Sequence, residues 1–418
     1  MKKLSYPKSN SIYAALDIGS SKIACAVGKS DSSGVMHLLG ISFKTTKSVK
    51  KGNILDINKI GNEINDVIED VSKKTQTKIS NLIVNANIID SKSNFLTGEI
   101  EIDDEQIDDF HIKSSINNSD LYKADTDYES IHNVITNFEI DNEKKLVDPR
   151  GFYANKLAVN IYQILIKKNY TKSLKNILTN LNLNIENIVA SPYASSLSSL
   201  IEDEKELGTI CLDLGSGTTS VCIVENKNLI FADAIPVGSN NITYDLASGL
   251  TTSIESAERL KTLYGSVFSN PSDEHELIDV SIIGSENNKF NQINRSLVNS
   301  FIKPRVEETL ELIRQKLKEY NLHNKKYRRV VLTGGGSLLE GIDEYAKIIF
   351  DSQVRIGFPT NLIGINKEIS KPQFGVVLGL LVNTLDESSL TDLLTKNDEK
   401  IRKNGVFEGI SSWLNRYI

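Results

Sequence analysis

Two short stretches of the sequence place an aspartate at the end of an apolar run and follow it with a glycine-rich turn. The first is LDIGSSK at residues 16–22, and the second is LDLGSGTT at residues 212–219. Glycine lets the backbone approach a ligand closely, while serine and threonine hydroxyls and a lysine charge attract an anion. The turns are therefore predicted to bind phosphate through Gly19, Ser20, Ser21, Lys22, Gly215, Ser216, Gly217, Thr218 and Thr219.

The two aspartates, Asp17 and Asp213, are unsuited to direct contact with a phosphate because both groups are negatively charged. They suit a hydrated Mg²⁺ ion, since Mg²⁺ keeps several waters and prefers carboxylate ligands. We therefore expect the ion to lie between these carboxylates and the phosphates. One such turn alone is more often an ordinary hairpin than a phosphate site, but this chain has two in matching contexts.

A third glycine turn, LTGGGS at residues 332–337, follows another apolar run. The pattern predicts a strand that ends at Thr333 and a helix that begins near Ser337. A helix N-terminus presents unpaired backbone N–H groups and a partial positive charge, and both attract anions. The residues predicted to contact the ligand here are Gly334, Gly335, Gly336 and Ser337.

The surrounding sequence repeats the elements that must position these turns. Residues 12–43 and 208–238 each read as strand, glycine turn, strand, polar turn and strand. A helix is predicted over residues 57–75 and a strand over residues 81–89, and a strong helix is predicted over residues 304–320, with Pro304 in its first turn. The chain is therefore predicted to be an α/β protein with two duplicated halves around mixed sheets.

The composition narrows the class of protein. The 418 residues are 39% hydrophobic and 24% charged, and the formal net charge of −6 argues against a nucleic-acid-binding protein. Three cysteines lie inside predicted strands without zinc spacing and are expected to be reduced core residues. The N-terminal segment lacks the apolar stretch of a secretory signal, so we expect a cytoplasmic protein.

The three turns resemble, in type and order, those of the actin-like ATPase superfamily, which includes actin, sugar kinases and DnaK-type chaperones. LDIGSSK and LDLGSGTT match its two phosphate loops, and LTGGGS matches its adenosine motif. The resemblance implies ATP in a cleft between two lobes, with Mg²⁺ near Asp17 and Asp213. The stretch SIESAERLKTLYGS resembles the superfamily's ribose- and adenine-contacting helix, which implies roles for Glu258 and Lys261. The alternative for this pair is a solvated ion pair on a helix surface.

Extra sequence between the shared elements indicates which member the chain resembles. The extra material runs over residues 88–167, and its strand-like and helix-like pieces are predicted to form a small α+β subdomain. An insertion at this place is similar to those of FtsA, the bacterial cell-division actin homologue, and PilM, a pilus-assembly protein. Lobe I is expected to comprise residues 1–87 and 168–207, with residues 361–385 returning to it. The lobe II core is expected to comprise residues 208–235 and 301–360. Residues 236–300 are expected to form a small subdomain over the nucleotide.

The C-terminal sequence distinguishes these two families. Residues 386–404 are polar and predicted to be a mobile linker, whereas residues 405–418 have an apolar face at helical spacing. A tryptophan-containing amphipathic helix after a linker resembles the FtsA arrangement and suits a membrane surface. The alternative is a helix docked on the protein itself or on a dimer partner. The predicted membrane-facing residues are Val406, Phe407, Ile410, Trp413, Leu414, Tyr417 and Ile418.

These observations lead to a prediction of function. The segment before the second phosphate loop, NIVASPYASSL, has no Gln, Glu, Asp or His to position an attacking water, so we expect ATP binding with slow hydrolysis and assign no catalytic residue. The FtsA resemblance implies a peripheral protein of the inner membrane at the division site. Its implied partners are the C-terminal peptide of FtsZ, further copies of itself in a protofilament, anionic lipids and other division proteins. A PilM-like scaffold and a turnover ATPase or small-molecule kinase are the alternatives.

Overall fold

The computed structural model describes residues 11–123, 125–281, 290–322, 327 and 329–384. The predicted linker at residues 386–404 and the predicted amphipathic helix at residues 405–418 lie outside these residues. Within the described part of the chain, no helix is both long enough and apolar enough to cross a lipid bilayer.

The described residues form eighteen strands and ten α-helices. The strands are β1 (Ile12–Ile18), β2 (Lys22–Ser30), β3 (Met36–Thr45), β4 (Val49–Lys50), β5 (Asn53–Ile54), β6 (Asn81–Ala86), β7 (Lys92–Gln106), β8 (Tyr128–Ile140), β9 (Lys144–Leu146), β10 (Tyr153–Lys167), β11 (Asn184–Ala190), β12 (Thr209–Leu214), β13 (Thr219–Glu225), β14 (Asn228–Ile235), β15 (Leu277–Ser281), β16 (Phe290–Asn294), β17 (Arg329–Thr333) and β18 (Gln353–Ile356). The helices are α1 (Ile57–Thr75), α2 (Asp109–Asn118), α3 (Lys168–Asn180), α4 (Ser191–Ser199), α5 (Glu202–Leu207), α6 (Ser239–Gly249), α7 (Ile254–Tyr264), α8 (Arg295–Glu319), α9 (Ile342–Phe350) and α10 (Gly375–Asn383).

Two five-stranded sheets have the same topology, which confirms the predicted duplication. The first has the order β3-β2-β1-β6-β11, and the second has the order β14-β13-β12-β17-β18. In each sheet two antiparallel hairpin pairings are followed by two parallel pairings. Asp17 is paired with Ala24 and Asp213 with Ser220, each one residue before its strand ends. The two halves therefore present equivalent aspartates at equivalent sheet edges.

The central strand of the first sheet is apolar on both faces because helices cover both sides. Leu16 and Ile18 pack with the apolar faces of α1 and α3. Ala15, one position along β1, joins the core that includes α4 and α10. This explains the unbroken apolar run before Asp17, which is typical of strands buried on two sides.

The insertion between β6 and α3 forms a small α+β unit, as predicted. Its antiparallel sheet has the order β7-β10-β8-β9, and α2 packs on that sheet over a separate apolar core. The unit also contacts the second lobe. The hydroxyl of Tyr162 accepts a hydrogen bond from the Ala232 backbone N–H at 2.8 Å and donates one to the Ala232 carbonyl at 3.0 Å. The subdomain therefore contacts an outer strand of the second sheet, β14, although the chain inserts it into the first lobe.

Helices α4 and α10 connect the two lobes. The chain leaves the first sheet at β11 and passes through α4 to the second sheet, and it returns after β18 to α10, which packs on β1 and β2. The two helices cross closely, because a Cβ added at Gly379 would lie 1.6 Å from the carbonyl oxygen of Ala194. The connection between the lobes is therefore tightly packed where these helices cross.

The predicted helix start at Pro304 is wrong, since α8 begins nine residues earlier at Arg295 and contains Pro304 within it. Proline lacks the N–H that would bond to the carbonyl four residues before it, and that carbonyl belongs to exposed Ser300. Val298 and Ile302 continue the buried stripe of Val306 and Leu310 toward the N-terminus. Packing of this stripe offsets the local cost of the proline.

Candidate functional site

A cleft of about 590 Å³ lies between the two lobes, and all three predicted turns contribute to its walls. It opens at the carboxyl ends of β1, β6, β12 and β17, the edge of a sheet at which α/β proteins commonly bind ligands. The predicted contact residues that line it are Asp17, Gly19, Ser20, Ser21, Lys22, Asp213, Gly215, Ser216, Gly217, Thr218, Glu258, Lys261, Gly334, Gly335 and Gly336.

The first two turns face each other across the base of the cleft. Gly19 N–H donates to the Lys22 carbonyl at 3.0 Å, which closes the first turn. A Cβ added at Gly217 in the second turn would lie 2.5 Å from Ser20 Oγ and 2.7 Å from Ser20 Cβ. Ser20 Oγ also accepts from Gly52 N–H at 3.2 Å. Glycine at position 217 is thus required for the close approach of the two loops.

Two buried carboxylates and one lysine concentrate charge beside these turns. Asp17 and Asp213 are only 6% and 8% exposed. Burial raises the pKa of Asp17 to about 7 and that of Asp213 to about 6, against the effect of nearby Lys22. Burial also lowers the pKa of Lys22 to about 8, although both carboxylates favour its charged form. The electrostatic cost of these buried carboxylates would be reduced by a bound cation.

The donor set at this position fits a hydrated Mg²⁺ ion. Among the described residues, no group of three or more His, Cys, Asp and Glu side chains is placed to hold a metal. A cation here would therefore depend on the Asp17 and Asp213 carboxylates, with waters and ligand oxygens as its other ligands. Mg²⁺ commonly binds proteins in this way, through one or two carboxylates.

The third turn packs directly on the second aspartate. Gly334 has φ +79° and ψ 166°, and a Cβ added there would lie 2.3 Å from Asp213 Oδ1. A Cβ at Gly336 would lie 2.9 Å from the Leu214 carbonyl oxygen. The absence of side chains at these two positions lets the turn cover the end of β12, so this part of the cleft wall is formed by backbone.

The predicted helix start near Ser337 is wrong. The chain forms one 3₁₀ turn over Gly335–Leu338, and α9 begins only at Ile342, after Gly341 in the left-handed region. Ser337 is buried, and its Oγ donates to the Gly334 carbonyl at 2.7 Å. Its side chain therefore closes the turn and does not line the cleft. Thr219 is also absent from the wall, since it is 1% exposed within β13.

Glu258 and Lys261 form the ion pair that their spacing suggests, at 2.7 Å, and both line the cleft. Lys261 Nζ also donates to Thr243 Oγ1 at 2.9 Å, and Thr243 Oγ1 donates to Glu258 Oε2 at 2.5 Å. The Lys261 side chain is only 11% exposed, and burial lowers its pKa. The lysine is therefore buried in the cleft wall, whereas the Glu258 side chain is 51% exposed.

Sequence reasoning missed several polar residues on the wall. Asn85, at the carboxyl end of β6, accepts from Ile18 N–H at 2.8 Å and donates to Ser191 Oγ at 3.1 Å. It thereby links the end of β1, beside the first glycine turn, to the start of α4. Gln373 reaches the cleft from the segment before α10. A polar residue at the end of a buried strand was a usable signal for Asn85, whereas no local pattern marks Gln373.

Family models and known proteins match this chain along most of its length. The family model described as "Cell division protein FtsA" matches residues 210–379, and "SHS2 domain inserted in FTSA" matches residues 90–165. The cell division protein FtsA of Agrobacterium fabrum (strain C58) is 32% identical over 393 residues, covering 91% of this chain and 88% of that protein. FtsA of Escherichia coli (strain K12) is 23% identical, covering 97% of this chain and 96% of that protein.

Solved structures with a similar fold have lower sequence identity. A chain of the PilM-PilN type IV pilus biogenesis complex superposes with a TM-score of 0.60 at 13% identity, covering 90% of this chain and 98% of that one. MreB5 of Spiroplasma citri bound to ADP has a TM-score of 0.53 at 14% identity, covering 96% of this chain and 100% of that one. These likenesses establish an actin-like fold.

Proposed function

Because this chain belongs to the FtsA family of cell division proteins, we propose that it binds ATP with Mg²⁺ in the cleft and links FtsZ filaments to the membrane. The observation that carries the nucleotide part is the meeting of three glycine turns and two buried carboxylates around one cleft. The family assignment supports the role in division.

We assign a proposed role in ATP and Mg²⁺ binding to each group of residues that lines the cleft. Backbone N–H groups and hydroxyls of residues 19–21 and 215–218 bind the phosphates, with Lys22 adding a positive charge. Asp17 and Asp213 hold Mg²⁺ through water, and the ion would offset the phosphate charge. Glu258 and Lys261 contact the ribose and adenine, and the backbone of residues 334–336 packs beside the adenosine. The roles of Thr219 and Ser337 are limited to shaping the turns, because both side chains are buried away from the cleft.

Nucleotide occupancy is proposed to act mainly on the arrangement of the lobes. From the segment NIVASPYASSL, only Ser191 and Pro192 line the cleft, and neither is a general base. Slow hydrolysis is therefore expected, and the catalytic residue is left unassigned. ATP that contacts both lobes favours the closed arrangement, because a ligand shifts a conformational equilibrium by its differential affinity for the two states. The closed state is proposed to assemble into protofilaments with further copies of the chain.

The tethering role is proposed to use parts of the chain outside the nucleotide cleft. The small subdomain, proposed to span residues 236–300, binds the FtsZ C-terminal peptide, and residues 405–418 bind anionic lipid at the cytoplasmic face of the inner membrane. Residues 386–404 are proposed to be the linker that lets residues 405–418 extend from the folded lobes to the membrane. Other division proteins bind the assembled filament. The remaining subdomain limits, including 88–167 for the insertion, are also our proposal.

Liposome co-sedimentation tests the tether. With ATP, Mg²⁺ and vesicles containing phosphatidylglycerol, the full chain is expected to pellet, and a chain that ends at Asn404 is expected to stay in solution. Trp413→Glu should reduce pelleting by at least about tenfold, since it removes a large apolar group from the lipid-facing side. Ser412→Glu adds the same charge on the opposite face and is the matched control.

Two results would contradict the membrane proposal. Equal pelleting of the full and shortened chains would show that residues 405–418 are not the anchor. If neither chain pellets, the terminal helix docks on protein, and a PilM-like scaffold becomes the better account.

A further inference from the structure

The ammonium group of Lys22 lies against a wall built by a distant part of the chain. Its Nζ is 4.1 Å from the centroid of the Phe374 ring and donates a hydrogen bond to the Gln373 carbonyl oxygen. Both partners belong to the 3₁₀ turn Pro372–Phe374, which leads directly into α10. The lysine of the first phosphate turn is thus held by the element that returns the chain to the first lobe.

Phe374 is well fixed for this contact. Its side chain is 2% exposed, and its ring packs against that of Phe43 at a centroid distance of 5.2 Å with a tilt of 59°. Phe374 N–H also donates to the Lys371 carbonyl at 3.0 Å, which closes the turn. A ring with so little freedom presents one face to the lysine. The negative face of an aromatic ring attracts a cation, and the attraction grows when the pair is removed from water.

The contact competes with a second attraction on the lysine. Asp17 and Asp213 both favour the charged form of Lys22, so their carboxylates attract its ammonium group. A lysine side chain is flexible and loses considerable rotamer freedom when it is fixed. Without the ring and the carbonyl, Lys22 would be expected to turn toward these carboxylates. A fixed lysine meets an incoming phosphate without that cost, which favours binding.

We propose that Phe374, with the Gln373 carbonyl, is a positioning residue that holds the Lys22 ammonium where it meets the phosphates of the bound nucleotide. This inference rests on the proposed nucleotide-binding function. Phe374 itself contacts the lysine, so its effect on affinity passes through Lys22. The ring is therefore expected to matter for ligands that carry phosphates and to have no effect on ligands without them.

A double-mutant cycle on the full chain tests this assignment, with ATP plus Mg²⁺ and adenosine as the two probes. Phe374→Leu is expected to weaken ATP binding about three- to tenfold, the range of a partly desolvated cation–π contact, and to change adenosine affinity less than about twofold. Phe374→Tyr keeps an aromatic face and should retain ATP affinity. In a Lys22→Ala background, Phe374→Leu should have no further effect on ATP affinity.

Thermal unfolding of each variant separates positioning from loss of structure. If Phe374→Leu does not fold, Phe374→Met carries the same prediction, because its unbranched side chain fills irregular core space more readily. Equal weakening of ATP and adenosine, or the same loss with alanine at position 22, would show a structural role and overturn the assignment. Unchanged ATP affinity in the Leu variant would also overturn it. Failure of the wild-type chain to bind ATP would refute the proposed function itself.

Discussion

Gly379→Ala is expected to lower the free energy of unfolding by about 3 kcal/mol, at the upper end of the cost of overpacking. An added Cβ would lie 1.6 Å from the Ala194 carbonyl oxygen and 2.4 Å from its carbonyl carbon. These are backbone atoms of α4, so no side-chain rotation can relieve the clash, and α10 must move away. Urea denaturation followed by circular dichroism measures the change.

Gly61→Ala is the matched control for this substitution. Gly61 also lies inside a helix, α1, but nothing lies within 4 Å of a Cβ added there. Alanine is the better helix former, so this variant is expected to gain about 0.5–1 kcal/mol. A Gly379→Ala variant as stable as the wild-type protein would show that the two connecting helices do not cross as closely as described.

Gly334→Ala is expected to destabilise the fold by about 2–4 kcal/mol and to abolish tight nucleotide binding. Its φ of +79° and ψ of 166° lie in a region that is essentially restricted to glycine, which costs about 1–3 kcal/mol for another residue. The added Cβ would also lie 2.3 Å from Asp213 Oδ1 and 2.7 Å from the Leu214 carbonyl oxygen. Displacement of Asp213 removes one of the two proposed carboxylates for Mg²⁺. Urea denaturation and ATP titration measure the two effects.

The neighbouring glycine provides the comparison for stability. A Cβ at Gly335 would meet only Gln373 Cβ, at an ordinary 3.7 Å, and Gly335 does not have positive φ. Gly335→Ala is therefore expected to change the free energy of unfolding by less than about 0.5 kcal/mol. Equal destabilisation by both substitutions would mean that the conformation of Gly334 and its contact with Asp213 are not the cause.

Features marked by local chemistry could be predicted from the sequence. The glycine turns after Asp17 and Asp213 can be recognised because glycine interrupts an apolar run. Their repetition indicated the duplicated sheets. The helix at residues 57–75 was predicted with the bounds that the structure has, since its apolar spacing is regular and Asp56 caps its start by accepting from Lys59 N–H at 2.9 Å. In these cases the signal and the structure lie within the same few residues.

Features that depend on distant packing could not be predicted in the same way. The start of α8 was misplaced because proline commonly occupies a first turn, whereas here burial of Val298 and Ile302 extends the helix past Pro304. The glycine run before Ser337 suggested a helix start, but contact with Asp213 and Leu214 shapes it into a 3₁₀ turn. Propensity is a weak guide where tertiary contacts decide.

In the cleft, too, residues in local patterns could be predicted, whereas contacts between distant parts of the chain could not. The turn residues can be recognised from their residue types, and most of the predicted contact residues do line the cleft. Gln373 and Phe374 reach Lys22 across 351 and 352 positions of sequence, and only the folded chain brings them together. Their sequence context, KPQF, carries no phosphate-binding pattern.

Titration calorimetry of ATP into the full chain, with Mg²⁺ and with EDTA in its place, tests whether the cleft binds ATP together with Mg²⁺. We expect saturable binding of one ATP per chain with Mg²⁺. The affinity is expected to be at least about tenfold lower in EDTA, because the Asp17 and Asp213 carboxylates then repel the phosphates without an intervening cation. A folded chain that does not bind ATP in the presence of Mg²⁺, or that binds it equally well in EDTA, would contradict the proposed ATP–Mg²⁺ site.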